Sequence, residues 1–454
     1  LLAGERRLNC RQAGVFNHQP YFLQVLLERV FMPHADCHDA IDRLLTLNEA
    51  VTAALQSIQP VYAIEPVSLL DAEGRVLAAD VLARLDVPPG DNSAMDGFAV
   101  YLSDLRQGTV TRLPVVGRSL AGHPYPGPVP RGVAVRITTG ALIPEGPDAV
   151  IMQEQCRVDP EEGWIEIEPD IAARRRSGEN IRQRGEDVRA GTVLLSQGRR
   201  LRCQDIALVA GQGIARLDVV RQLRVAVAST GDELHEPGAE LPLGAIYESN
   251  RYLLIGLLRR LGCIVTDLGI LRDDREMLLQ TLRHAAAHHD VLLTSGGVSV
   301  GTADWVKDVI AQLGRIEFWR LAVKPGKPVT FGRIQDCLAL GLPGNPVSVM
   351  VSFLLFARPL LMKLMGMEPI EPMRWPVLAD FAFRRKPGRR EWLRVQLQLD
   401  PERKPLARLY RTNSSGALSS LSWADGLVEL PEDCANVMPG DYVDYLPFSG
   451  LGAE

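Results

Sequence analysis

The chain has 454 residues, 46% of them apolar and 23% charged, with 50 Lys plus Arg against 55 Asp plus Glu for a formal charge of −5. At roughly 150 residues per domain that length suits about three domains, and the composition excludes collagen-like, low-complexity and wholly disordered chains. The acidic balance argues against a general affinity for nucleic acid, which rests on a surplus of cations facing phosphates, but a global count does not see a local patch.

Residues 1–37 begin with Leu and hold a short apolar run at 21–27 that Glu28 and Arg29 cut off at once. They lack the basic start, long apolar middle and cleavage site of a signal peptide, so they read as an extended or non-native terminus. Cysteine usage is sparse: Cys10, Cys37, Cys156, Cys203, Cys263, Cys337 and Cys434 are an odd number without Cys-x-x-Cys spacing. That argues against a disulfide framework or a structural zinc site and favours a reducing compartment, the cytoplasm. Cys263 and Cys337 lie in apolar runs and read as buried thiols.

From 85 to 220 the chain alternates in short runs, such as 133–137 and 149–152, broken by Pro and Gly, notably over 123–130. This is all-β or mixed texture spread over more than one small domain. The loop 91–97 is dense in turn formers around an acidic residue, and 136–140 and 178–187 are similar polar loops, a pattern that commonly has only structural meaning. Residues 174–189 carry six Arg and three carboxylates, a solvated charged loop by default.

Between 222 and 367 the period of the apolar pattern switches repeatedly. A β-rich run at 223–229 ends on Thr230-Gly231, and from Asn250 the leucines 253, 254, 257, 258 and 261 share one helical face that Gly262 stops. Strands follow at 263–270, 290–294 and 337–342, and helices at 275–289, 305–313 and 347–364. Such alternation predicts a doubly wound, mostly parallel sheet with helices on both faces. No run of 18 uncharged apolar residues is present, because Arg358 interrupts the best candidate, so no membrane span is expected. After Pro369 the pattern changes again: 392–399 alternates, and Met438-Pro439-Gly440-Asp441 reads as a turn before a last strand. A small C-terminal β-barrel or sandwich is the natural expectation.

Ligands of doubly wound sheets sit outside the carboxyl ends of the strands, which directs attention to the loops 229–234, 271–274, 295–304 and 342–348. Ser295-Gly296-Gly297-Val298-Ser299 can let a ligand approach the backbone and hold an anion at the next helix start, or it is simply a tight strand-to-helix turn. Glu233, Asp273 and Asp304 stand at strand ends, where single acids usually cap helices. Three on one edge suggest a hard cation such as Mg²⁺, completed by waters and substrate phosphate. Lys324 and Lys327, in a segment stiffened by Pro325 and Pro328, can face an anion or form an exposed basic turn. Pro343-Gly344-Asn345-Pro346 is a second strand-to-helix joint, either a rigid turn or a ligand-facing one. Residues 384–394 hold six basic side chains against Glu391 alone, a candidate anion-facing patch.

Taken in order, Asn92-Ser93-Ala94-Met95-Asp96-Gly97, Thr139-Gly140, the 178–187 loop, Ser229-Thr230-Gly231-Asp232-Glu233-Leu234, Ser295 to Gly301 with Asp304, the Lys-Pro-Gly-Lys-Pro run and Leu342 to Ser348 resemble the motifs of the MoeA family. These are the molybdopterin molybdenumtransferases, which include the C-terminal domain of gephyrin. The resemblance covers roughly residues 38–454 and implies an α/β plus β multidomain transferase. Its parts would be an α/β molybdopterin-binding domain (38–62 and 222–370), a linker domain (63–84 and 190–221), a β-rich domain (85–189) and a C-terminal β-barrel (371–454).

The resemblance also implies an activity. A homodimer would bind adenylylated molybdopterin, cleave the adenylate with Mg²⁺, insert molybdate between the dithiolene sulfurs and release AMP, with molybdopterin adenylyltransferase and molybdoenzyme apoproteins as partners. Because the pterin supplies the sulfur ligands, no cysteine cluster is needed. Family positions fall on Asp96, Thr139, Asp187, Glu233, Asp273 and Asp304 for catalysis, the last three for the metal. For substrate they fall on Ser295, Gly296, Gly297, Ser299, Lys324, Lys327, Pro343, Gly344, Asn345, Pro346, Arg394 and Ser415. Asp96, Thr139 and Asp187 would enter the cleft from the partner subunit. Glu248 stands where the family usually has Asp. Competing readings are a molybdopterin adenylyltransferase, which would not need the β domains, and a non-catalytic gephyrin-like scaffold.

Overall fold

A computed structural model describes residues 44–61, 63–297 and 305–453, with the backbone alone at 318 and 319. The extension 1–37, Cys10, Cys37 and the segment 298–304, including Ser299 and Asp304, lie outside the described residues.

The α/β pattern forms as read. Strand β1 (Arg224–Thr230) is followed by helix α1 (Asn250–Leu261), β2 (Ile264–Leu271), α2 (Arg275–His288), β3 (Val291–Ser295) and α3 (Trp305–Leu313). Leu254, Leu257, Leu258 and Leu261 bury the inner face of α1, and Gly262 ends it in the left-handed region at φ 96°. That conformation costs a β-carbon residue about 1–2 kcal/mol and glycine little. Helix α2 starts on Asp274, whose carboxylate accepts a hydrogen bond from the Met277 N–H at 2.9 Å.

Next come β4 (Arg315–Arg320), β5 (Pro328–Ile334), β6 (Cys337–Leu342) and the long helix α4 (Pro346–Leu364), whose middle turn, Phe353–Ala357, is π-helical. The strands run in the order β2-β1-β3-β6-β5-β4. The first four are parallel, and β5 and β4 add an antiparallel edge. Strand order reverses at β1 and β3, so the crevice of this sheet opens beyond Thr230 and Ser295.

Period-two alternation divides the strand residues between two cores. Val225, Val227, Val291, Leu293, Leu338 and Leu340 pack under α1, α4 and the helix Leu47–Ser57. Ala226, Ala228, Leu292 and Ala339 face α2 and α3. Cys263 and Cys337 are buried free thiols, each pushed up to about 12 by burial. By length and apolarity α4 could cross a membrane, but 78% of that stretch is buried inside the protein, so core packing accounts for its composition.

A linker region joins Ile64–Ser68, Arg216–Val220 and Val76–Leu77 in one antiparallel sheet beside the helix Cys203–Gly211. The β-rich region holds six strands in the spatial order Ala149–Met152, Gly97–Val100, Ala134–Ile137, Thr111–Ser119, Trp164–Ile167, Cys156–Val158. A β-carbon at Gly97 would lie 2.0 Å from the Ile151 carbonyl oxygen, so only glycine fits where the Asp96 loop enters this sheet.

The C-terminal strands β7 (Trp375–Ala379), β8 (Arg390–Leu399), β9 (Pro405–Leu409), β10 (Gly426–Leu430) and β11 (Tyr442–Pro447) close as a ring, β8-β9-β7-β11-β10-β8. The short strand Val323–Lys324, between β4 and β5 in sequence, pairs in parallel with Arg390–Glu391 of β8 and ties the barrel to the sheet domain. The turn before β11 forms as expected, with the Asp441 N–H donating to the Met438 carbonyl. Leu45 to Glu454 belong to one unit.

Candidate functional site

A cleft of about 900 Å³ opens at the carboxyl edge of the sheet, bounded on its far side by the barrel. Every predicted sheet loop supplies wall residues: Thr230, Gly231 and Glu233 after β1, Asp273 after β2, Ser295, Gly296 and Gly297 after β3, and Pro343 to Pro346 after β6. Lys324 to Pro328 line it as well, and the barrel adds Arg389, Asn413 and Ser415.

The glycines after β3 are there for space. Gly296 and Gly297 have φ +88° and +66°. A β-carbon on Gly296 would lie 2.6 Å from the Thr230 carbonyl oxygen, and one on Gly297 would lie 2.4 Å from a Val306 methyl. With no side chain in the way, the backbone itself forms the wall.

Asn250, at the start of α1, locks this loop to the next one. Its Nδ2 donates to Ser295 Oγ at 3.0 Å and to the Gly344 carbonyl at 2.6 Å, while Ser295 Oγ donates to the Pro343 carbonyl at 3.3 Å. Asn250 Oδ1 and Thr230 Oγ1, both from cleft-lining residues, are buried without a partner, leaving polar capacity in the floor. Sequence reasoning gave Asn250 no role; its only signal was a polar residue opening an apolar helix. Glu248 is buried and accepts from the Arg251 N–H at 2.7 Å, which satisfies a free N–H in the first turn of α1.

Charge is divided across the cleft. The Asp273 carboxyl is raised above the usual carboxylate range, first by burial and then by the charges of Asp232 and Glu233. This is an acidic edge short of positive charge. Lys324, Lys327 and Arg389 stand on the walls formed by the Lys-Pro-Gly-Lys-Pro run and the barrel, with Lys324 Nζ 2.9 Å from Glu391. Among the described residues no three His, Cys, Asp or Glu converge on a metal position. Glu233 and Asp273 nevertheless suit a hard cation that keeps waters and takes substrate oxygens; the third expected ligand, Asp304, lies outside the described residues.

Arg394 does not reach the cleft wall. It is 1% exposed and stands behind the barrel loop, donating to Asn413 Oδ1, to the Thr412 and Ser414 carbonyls and to Ser420 Oγ. Ser415, on that loop, does line the cleft, and its carbonyl accepts from the Val347 N–H in the first turn of α4.

Asp96, Thr139 and Asp187 are exposed on the β-rich region and absent from this chain's cleft. Asp96 Oδ1 accepts from the Thr139 N–H at 2.7 Å and its hydroxyl at 3.0 Å, bonds that hold the carboxyl below its usual range. Pairing of Asn92–Ser93 with Ile181–Arg182 brings their loop beside that of Asp187.

Comparison with known proteins agrees with this arrangement. Family models match over residues 45–213 (MoeA N-terminal region, domain I and II), 226–363 (probable molybdopterin binding domain) and 376–448 (MoeA C-terminal region, domain IV). The chain is 39% identical over 409 residues to a molybdopterin molybdenumtransferase of Haemophilus influenzae, covering 90% of this chain and 100% of the relative. It is 35% identical over 375 residues to one of a Nostoc species, covering 81% and 85%. A crystal structure of a molybdopterin biosynthesis moeA protein from Pyrococcus horikoshii superposes with a TM-score of 0.78 at 30% identity, covering 89% of this chain and 100% of that one.

Proposed function

Because the chain belongs to the MoeA family of molybdopterin molybdenumtransferases, we propose that its cleft takes adenylylated molybdopterin and that the adenylate is cleaved with Mg²⁺ as molybdate enters. The transferase activity in molybdenum-cofactor biosynthesis follows from the family; the adenylylated substrate and the cation are our reading. The observation that carries it is the division of charge, with an acidic edge at Glu233 and Asp273 facing basic walls across one cleft.

In this reading the Ser295 to Gly297 backbone and the Pro343 turn, clamped by Asn250, seat the pterin phosphate. Lys324, Lys327 and Arg389 oppose the remaining phosphate charge, which orients the phosphoanhydride bond for attack by water at phosphorus: a new P–O bond replaces the anhydride bond, AMP leaves and molybdopterin keeps its terminal phosphate. Glu233 and Asp273, with Asp304, would hold Mg²⁺, which when bound supplies charge neutralisation at phosphoryl oxygens. The matched regions extend well beyond the sheet domain, which favours this reading over an adenylyltransferase. Such a substrate requires an adenylyl-transfer reaction upstream, and molybdoenzyme apoproteins consume the product.

The exposed Asp96–Thr139 pair and Asp187 support a homodimer in which they complete the partner's cleft. Purified protein given adenylylated molybdopterin, Mg²⁺ and molybdate is expected to release AMP, and Asp304→Ala to release far less. No AMP from the parent protein would overturn the reading. Mixed Asp96→Ala and Asp304→Ala subunits should regain activity; no recovery after demonstrated subunit exchange would refute the shared cleft.

A further inference from the structure

Glu391 is the lone acid in the basic stretch 384–394, and it is 2% exposed at the start of β8. It does not line the cleft, yet two cleft-lining side chains end on it. Its Oε1 accepts from Lys324 Nζ at 2.9 Å and from Asn413 Nδ2 at 2.7 Å. Its Oε2 forms a 3.3 Å ion pair with the buried Arg385 guanidinium. Arg385 also donates to the Arg389 carbonyl, while Arg394 holds Asn413 from the other side at 2.8 Å. One carboxylate therefore fixes a sheet-domain lysine, a barrel asparagine and, through Arg385, the backbone of a barrel arginine. All three of those residues face the cleft.

We propose that Glu391 is a positioning residue that holds the Lys324 ammonium and the Asn413 loop in register for an anionic group of the pterin substrate. The proposal rests on reading the cleft as the pterin site. A buried carboxylate with two cations and an amide is costly to build from unpaired parts, because each charge left alone inside the protein loses its hydration. Its use here is geometric: Lys324 has a long, flexible stem, and a hydrogen bond to a buried anchor removes most of its rotamer freedom before ligand arrives.

Charge alone makes the opposite prediction. Removing a negative charge 2.9 Å from Lys324 raises the local positive potential and should tighten the binding of an anion. Loss of positioning should weaken it. The sign of the effect therefore separates the two roles.

The test is titration of the full-length protein with molybdopterin itself, followed by intrinsic fluorescence, which needs no AMP release and stays informative if the adenylylated-substrate reading fails. Glu391→Gln, nearly isosteric, is expected to weaken binding about tenfold, the scale of one charge-assisted hydrogen bond. In a Lys324→Met background the same change should weaken it only about threefold, because the part of the effect that runs through Lys324 is already lost and only the Asn413 loop remains to be disturbed. Tighter or unchanged binding in Glu391→Gln, or the same tenfold loss with and without Lys324, would overturn the proposal. If Glu391→Gln does not fold, Glu391→Asp should show the same dependence on Lys324 with a two- to threefold loss, and equal losses in both backgrounds would be just as fatal.

Discussion

Replacing Asp273 with Asn should make the protein more stable and less active. The Asp273 carboxyl is raised by burial and by the neighbouring charges of Asp232 and Glu233, which together outweigh the hydrogen bond it accepts from the Asp232 backbone N–H. Ionising it is therefore harder in the folded chain than in the unfolded one. That penalty is present in full at pH 7, declines as pH falls through the raised folded value, and is gone below the ordinary carboxyl value of 3.8. The edge is partly solvated, and screening leaves about 0.5–1 kcal/mol. For a domain of 150–250 residues this corresponds to a rise in Tm of about 1–4 °C. Mg²⁺ should reverse the order, since a cation at about ten times its Kd stabilises the protein that binds it by about 1.4 kcal/mol. Thermal unfolding at pH 7 and pH 4, with and without Mg²⁺, reads all four states. If Asp273→Asn is less stable than the parent at pH 7, or gains as much from Mg²⁺, the acidic edge is not a cation site of the kind described.

Two further substitutions probe the frame of the cleft. Gly297→Ala places a methyl 2.4 Å from Val306 and 2.7 Å from Thr230 Oγ1 at φ +66°, and left-handed strain plus overpacking should together cost about 2–5 kcal/mol. A lowered urea midpoint with loss of molybdopterin binding is expected; retention of both would show that the loop relaxes freely. In the linker region, Asp205 accepts from Arg199 Nη2 at 2.8 Å and from the Arg202 N–H at 3.0 Å, which holds its carboxyl far below the usual range. Asp205→Asn should cost about 2 kcal/mol at pH 7 once screening at the exposed guanidinium groups is counted. Because a depressed folded value contributes stability above the unfolded one, the gap between parent and variant should close only as pH falls below about 4. A gap independent of pH would refute the ion-pair origin.

The sheet domain was legible in the sequence because its signals are local. Leucines at helical spacing before Gly262, and apolar strands running into Thr230-Gly231 and Ser295-Gly296-Gly297, announce strand, loop and helix without reference to the rest of the chain. The loops that wall the cleft could be named in advance because a parallel sheet sends its strand ends to one edge. The antiparallel edge of β4 and β5 had no assignment from the sequence, where only the Lys324 to Pro328 run was read, as an anion-facing segment or an exposed basic turn. Lys324 was read either as facing an anion or as part of an exposed basic turn, and the anion it touches in this structure is Glu391 of the barrel, 67 positions away. Arg394 came through family resemblance as a substrate contact and stands behind the wall instead. Nothing near Arg394 in sequence marks the difference, because burial behind a loop depends on how the barrel closes.

The hydrogen bond from the Val347 N–H to the Ser415 carbonyl has a consequence for how the protein can be taken apart. Val347 lies in the first turn of α4, where N–H groups have no partner within the helix, and the group that satisfies this one comes from the barrel. The most buried helix of the sheet domain thus begins at the cleft and is completed by another domain. Excising the barrel would leave that helix start bare and the Pro343 turn unsupported. A sheet domain expressed alone should then lose the order of its ligand-facing edge, along with the part of its core that Trp392, Leu427, Leu446 and Phe448 supply from the barrel, so the barrel belongs to the machinery of binding even where none of its atoms meets the substrate.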